Sequence, residues 1–167
     1  MIAMKRLLLA LLTAAACTDD PDVDRGLAPE ATSVVSGDAV IAIPLADPHP
    51  VIVFLSMVAD ATGTPLAAPV IIDVTVIPAA VLAQGGDGVR TGPFWFGLIE
   101  PGAYVVTGIV DVDENFNLLV PVLAAPTAAD LRGGYADVVT GQLITILLGP
   151  REVVGEVTVM FATPPGS

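Results

Sequence analysis

Asp111, Asp113, Asn115 and Asn117 place an oxygen-bearing side chain at every second position of one short stretch. When such a stretch curls, its carboxylates and amides converge, and hard cations such as Ca²⁺ are held by shells of this kind. The stretch departs from an EF-hand loop, whose sixth and twelfth positions are Gly and Glu, because Phe116 and Val122 stand there. A Ca²⁺ site of another design would complete its shell with a backbone carbonyl, with water, or with a more distant carboxylate such as Asp130 or Asp137. The plainer use of the same residues is a solvated turn, since Asp and Asn readily bond their own backbone.

Other reactive side chains are sparse. His49 is the single histidine, lies between Pro48 and Pro50, and with no Cys partner cannot build a zinc site alone. The spacing suggests no Ser-His-Asp set, and no phosphate- or dinucleotide-binding glycine loop is found. Paired carboxylates at Asp111 and Asp113 leave a hydrolase as a minor alternative, but the expectation is a protein without catalysis. In Phe94-Trp95-Phe96 both Phe share one strand parity and Trp95 takes the other. An exposed Trp95 beside a concavity would mark a small-ligand or carbohydrate-binding module, and a shielded one would mean that the strand packs into the core on both faces. Leu131-Arg132-Gly133-Gly134-Tyr135-Ala136-Asp137 reads as a long loop, with Arg132 pairing a loop acid and Tyr135 capping the domain edge.

Charge narrows the partners. Eighteen acidic residues stand against six basic ones, a formal charge of −12 at pH 7. That balance opposes nucleic acid, which is bound by clustered Lys and Arg. A chain that is 54% hydrophobic and 14% charged also has too much to bury to remain disordered, and its length suits one domain.

Lys5 and Arg6 precede an apolar run over 7–16 that ends in Ala14-Ala15-Ala16-Cys17 and passes into Thr18-Asp19-Asp20-Pro21. A positive start, a short apolar run and small residues before a cut make a signal peptide. The run covers about half of the roughly twenty residues that a helix needs to cross a bilayer. The segment resembles a bacterial lipoprotein signal, with Ala14 standing where Leu is usual. The resemblance implies a signal peptide over 1–16, an acyl chain on Cys17, and an address in the cell envelope, with Thr18 favouring the outer membrane. Cys17 is the only cysteine, so no intramolecular disulfide can form. The processed chain would keep four Arg and no Lys, a formal charge of −14. It has no amine side chain for a Schiff base. Its surface repels anionic headgroups, so an acyl anchor would have to hold it at the membrane.

These residues need a frame. Residues 17–37, with Asp19, Asp20, Asp22, Asp24 and Glu30, read as the lipidated Cys and a flexible, self-repelling tether. From 38 to 165, short apolar runs alternate with Pro, Gly, Asp and Asn clusters, the pattern of an all-β domain. Strands are expected at 39–43, 51–58, 70–77, 93–98, 103–110, 143–148 and 153–161, with a short one around 118–123. One helical turn each is allowed at 79–83 and 127–131. The run at 51–58 is apolar on both parities and should be central. In 70–77 the apolar parity is Ile72, Val74 and Val76, and in 153–161 it is Val153, Val157, Val159 and Phe161. Each of these two strands is expected to show its other face to water. The strands fall short of the 9–11 residues of an outer-membrane barrel. The expected fold is therefore a two-sheet sandwich of seven or eight strands.

Pro101-Gly102-Ala103-Tyr104 begins a strand that runs into Asp111-Val112-Asp113-Glu114-Asn115. Over 92–117 this resembles the carboxypeptidase-regulatory-like, prealbumin-like domains of secreted bacterial proteins, in which a Pro-Gly-x-Tyr strand leads to a D-x-D-x-N loop. The resemblance implies a transthyretin-like or immunoglobulin-like sandwich serving as an accessory or adhesive module, and names no ligand. The expectation is a lipid-anchored envelope module with structural, adhesive or binding duty. Its loops would meet an envelope protein or glycan, and Ca²⁺ would order one of them.

Overall fold

The apolar runs become strands in the expected order in the computed structural model, which describes residues 32–116 and 126–161. β1 spans Ser33–Ile41, β2 Val51–Ala59, β3 Pro65–Ile77, β4 Ala83–Gln84, β5 Arg90–Ile99, β6 Gly102–Val110, β7 Leu131–Gly134, β8 Ile146–Leu148 and β9 Val153–Phe161. A 3₁₀ turn at Ala79–Val81 supplies one expected helical turn, whereas 127–131 is a bend running into β7. The signal segment, Cys17 and the strand expected at 118–123 lie outside the described residues.

The fold is all-β. Hydrogen bonds join the strands in the order β3-β2-β6-β7-β9-β1-β5-β4, with β8 also on β6. One continuous sheet therefore curls on itself. The two layers expected of a sandwich are its facing halves, β3-β2-β6-β8 and β4-β5-β1-β9. β7 joins them, pairing with β6 on one side and β9 on the other. This corrects the reading of 131–137 as a loop. Gly133 and Gly134 are what make β7 possible, because a Cβ on Gly133 would collide with the Met160 carbonyl. Across the open side of the curl, the Thr75 hydroxyl on the edge strand β3 donates to the Trp95 carbonyl on β5 at 3.1 Å.

β2 is central as expected, between β3 and β6, with Val51, Ile52, Val53 and Leu55 buried. Facing it across the core are Val35, Phe96 and Phe161, all fully buried. Burial of this apolar surface is the main stabilising term, at about 25 cal/mol per Å². Tyr104, also fully buried, donates its hydroxyl to the Glu100 carbonyl at 2.7 Å across the Pro101-Gly102 turn. Burial, and secondarily the Glu100 charge, raise its phenol above the usual tyrosine range.

Three details differ from the sequence pattern. First, β1 begins at Ser33, so residues 33–37 belong to the sheet and not to the tether. Ser33, 1% exposed, donates to the Gly149 carbonyl at 2.7 Å and accepts from the Glu152 amide at 2.9 Å. Ser33→Ala should leave both groups short of a partner and lower stability by about 2 kcal/mol, read from the urea midpoint. Second, β9 bulges opposite β1. Val35 pairs with Val154 and Gly37 with Val157, while Glu156 takes φ 60°. The extra residue flips the parity, so Val153 is exposed while Val157, Val159 and Phe161 stay buried. Third, β3 has a bulge between Ile71 and Asp73. Asp73, Thr75 and Ile77 lie opposite the core residues Leu55, Val53 and Val51, and Ile72 and Val76 turn outward into solvent. This reverses the expected faces of β3. An edge strand can expose its apolar parity because only one neighbour covers it.

Candidate functional site

The loop between β6 and β7 gathers the acidic residues. β6 ends at Val110, and the Asp111 amide donates to the Pro50 carbonyl at 3.0 Å, tying the loop to the start of β2. The Asp111 side chain then turns back into the loop. Its two oxygens accept the amides of Asn115 and Phe116, each at 3.1 Å. Glu114 takes φ 53° at the tip. Phe116 closes the turn by packing edge-on against Phe54 of β2, with ring centres 5.8 Å apart. Local chemistry accounts for the turn, since an Asx side chain substitutes for a backbone acceptor and the contact of two half-buried rings holds the result.

Asp130 enters from the segment before β7. Its Oδ1 accepts the Val112 amide at 3.0 Å and its Oδ2 the Thr127 amide at 2.7 Å. The Thr127 hydroxyl donates to Asp113 Oδ2 at 2.9 Å. Carboxylate oxygens of Asp111, Asp113 and Asp130 thus lie within 4.8 Å of one another. Asp111 and Asp130 are 4% and 5% exposed, while Asp113 is open to water. Like charges at such a separation repel, most strongly between the buried Asp111 and Asp130 and less where Asp113 opens to water. The four main-chain donors on Asp111 and Asp130 offset part of that.

Of the four residues singled out by spacing, Asp111 and Asp113 therefore meet, and the third carboxylate is Asp130. Asn115 contributes its backbone amide to the loop, with its side chain exposed. Asn117 lies outside the described residues. Asp137 is committed elsewhere. Its Oδ1 accepts the Thr140 amide and hydroxyl and the Val139 amide in its own turn, and these bonds hold its carboxyl below the usual range. Arg132 donates to the Pro126 carbonyl at 3.3 Å, where an ion pair with a loop acid was expected. Tyr135 packs against the core as a half-buried side chain. His49 stands outside the carboxylate group, with Nδ1 buried and without a partner among the described residues.

Trp95 lies away from this loop, midway along β5, where its side chain is 67% exposed. It borders a shallow groove of about 260 Å³ at the β3–β5 seam, lined by Asp73, Thr75, Gly97 and Leu98 as well. Among the described residues, no helix is long and apolar enough to cross a membrane.

No family model matches the chain, and no curated protein matches it. Among solved structures it is similar to a Parabacteroides distasonis protein named "Putative cell adhesion protein", with a TM-score of 0.32 and 12% identity over 83% of this chain. The chain spans 45% of the length of that structure.

Proposed function

We propose that this chain is a non-catalytic binding module of the bacterial cell envelope, held there by an acyl chain on Cys17, and that Ca²⁺ among Asp111, Asp113 and Asp130 orders its β6–β7 end. The observation that carries the reading is the convergence of three carboxylates from two separate segments, two of them buried. Ca²⁺ is the cation such a set suits. It accepts six to eight oxygens in irregular arrangements, whereas Mg²⁺ demands a near-octahedral shell and sheds water reluctantly. Both oxygens of Asp111 and of Asp130 also hold main-chain amides. That supports a structural role for these carboxylates over proton transfer to a substrate. The signal-like start of the chain and the Pro101-Gly102-x-Tyr104 strand support an exported, prealbumin-like accessory module.

The test is a thermal melt of the purified protein in EDTA, in CaCl₂ and in MgCl₂. Binding to the native state alone stabilises by about 2.7 kcal/mol at a hundredfold excess over Kd. The midpoint should therefore rise by roughly 10 °C in Ca²⁺ and by much less in Mg²⁺. Identical midpoints in EDTA and Ca²⁺ would overturn the cation role and leave the loop a hydrogen-bonded turn.

A further inference from the structure

The geometry points to a second binding site on this module, a carbohydrate subsite at the β3–β5 seam in which the indole of Trp95 stacks on an uncharged or amino-bearing pyranose. Three observations carry it, and none involves the acidic loop, so either site can fail without the other.

Trp95 is the only tryptophan, and it is two-thirds exposed on β5 while its neighbours Phe94 and Phe96 fill the core. Its indole lies along the strand over Gly97, where a Cβ would meet Cζ3 at 2.5 Å and Cε3 at 3.3 Å. Glycine at 97 thus lets the ring lie down as a platform, with a face left open to solvent. Next to it, Leu98 is 76% exposed and takes φ 58°. That residue belongs to the bulge between Phe96 and Ile99, where β5 shifts register against β1, and the bulge turns the Leu98 side chain out to line the same groove as the indole.

Polar groups flank the platform. Asp73 and Thr75 of β3 line the same groove. The Thr75 hydroxyl bridges to the Trp95 carbonyl and fixes the width of the seam. Asp73 uses Oδ1 for the Val74 amide at 2.7 Å, and its other oxygen has no partner among the described residues. An apolar ring face beside an open carboxylate matches a sugar, which presents C–H bonds on one face and hydroxyl donors around its rim. Charge selects within that class. The groove carries only Asp73, on a chain of net charge −12, so uronic acids and phosphorylated glycans are repelled.

The single tryptophan makes the test specific. The detergent-solubilised full chain is titrated with cellohexaose, chitohexaose, maltohexaose, mannohexaose and hexaglucosamine, with hexagalacturonate as the anionic member, while indole emission is followed. At least one neutral or amino oligosaccharide should shift the emission saturably, and hexagalacturonate should not. Gly97→Ala, which lifts the indole, and Asp73→Asn should each weaken binding roughly tenfold with the melt unchanged. Trp95→Ala, followed by calorimetry, should abolish it. The proposal is overturned if no neutral or amino member acts at millimolar concentration, or if affinity survives Trp95→Ala. It is equally overturned if hexagalacturonate binds as well as the others. An emission shift that follows protein concentration alone would assign the face to a second copy of the chain and overturn it as well.

Discussion

Gly37→Ala is expected to destabilise the protein by about 3 kcal/mol or more, a large share of the roughly 5–15 kcal/mol that holds a domain folded. Gly37 pairs with Val157 of β9 on one side and Phe94 of β5 on the other, just after the bulge that brings β1 and β9 close. A Cβ at 37 would overlap the Val157 carbonyl and crowd the Val157 amide nitrogen. Those are main-chain atoms, so no flexible side chain can swing aside. Strands β5 and β9 clamp β1 from both edges, and accommodating one methyl group means parting β1 from β9. The control is Gly86→Ala. Position 86 has open space around it and an ordinary φ, so that change should stay within about 0.5 kcal/mol. Urea unfolding of both variants decides the matter. Equal midpoints would show that β1 and β9 separate cheaply, and that the β1–β5–β9 layer supporting Trp95 is looser than its packing implies.

The contrast between positions 86 and 37 shows what the sequence can and cannot convey. β2 was legible because Ile52 and Phe54 are as apolar as Val53 and Leu55, and a long run that is apolar on both parities is the pattern of a central strand. The start of β6 was legible for a different reason, as Pro101-Gly102 followed by Tyr104 combines a turn with a strand. The bulges were not. Whether Ile72 or Asp73 turns inward depends on how β3 meets β2, and the extra residue before Val157 shows only in the register of β9 against β1. β7 was missed because Arg132-Gly133-Gly134 has the composition of a loop, and the small residues that signal flexibility in isolation here answer a steric demand from Met160. At the acidic loop, alternation identified Asp111 and Asp113 correctly as neighbours in space. Asp130 stood only among the more distant candidates, since its approach requires β7 to return beside β6, a pairing that no local spacing reveals.

That return of β7 leads to the other large effect, expected of Asp111→Ala. Without added cation, the substitution removes the acceptor for two loop amides, Asn115 and Phe116, in a residue 4% exposed. Leaving part-buried donors unpaired costs about 1–3 kcal/mol, and loss of the Asx turn frees Phe116 from Phe54. One term runs the other way, since removing a charge relieves repulsion with Asp113 and Asp130. In EDTA the net loss should therefore be moderate, about 1–2 kcal/mol. In saturating Ca²⁺ the wild-type protein gains binding energy that the variant cannot, and the gap should widen to about 4 kcal/mol at a hundredfold excess over Kd. Asp130→Ala, which strips acceptors from Val112 and Thr127, should show the same two-part loss. Asp137→Ala serves as the comparison, because its carboxylate only closes its own turn, and its cost should be indifferent to Ca²⁺. Melts of the three variants in EDTA and in CaCl₂ separate a hydrogen-bonding role from a cation role. A gap for Asp111→Ala that is equal in both buffers would leave main-chain capping as the whole work of the acidic loop. A gap that widens with Ca²⁺ for Asp111 and Asp130, but not for Asp137, would make the end of this sandwich a calcium-ordered surface.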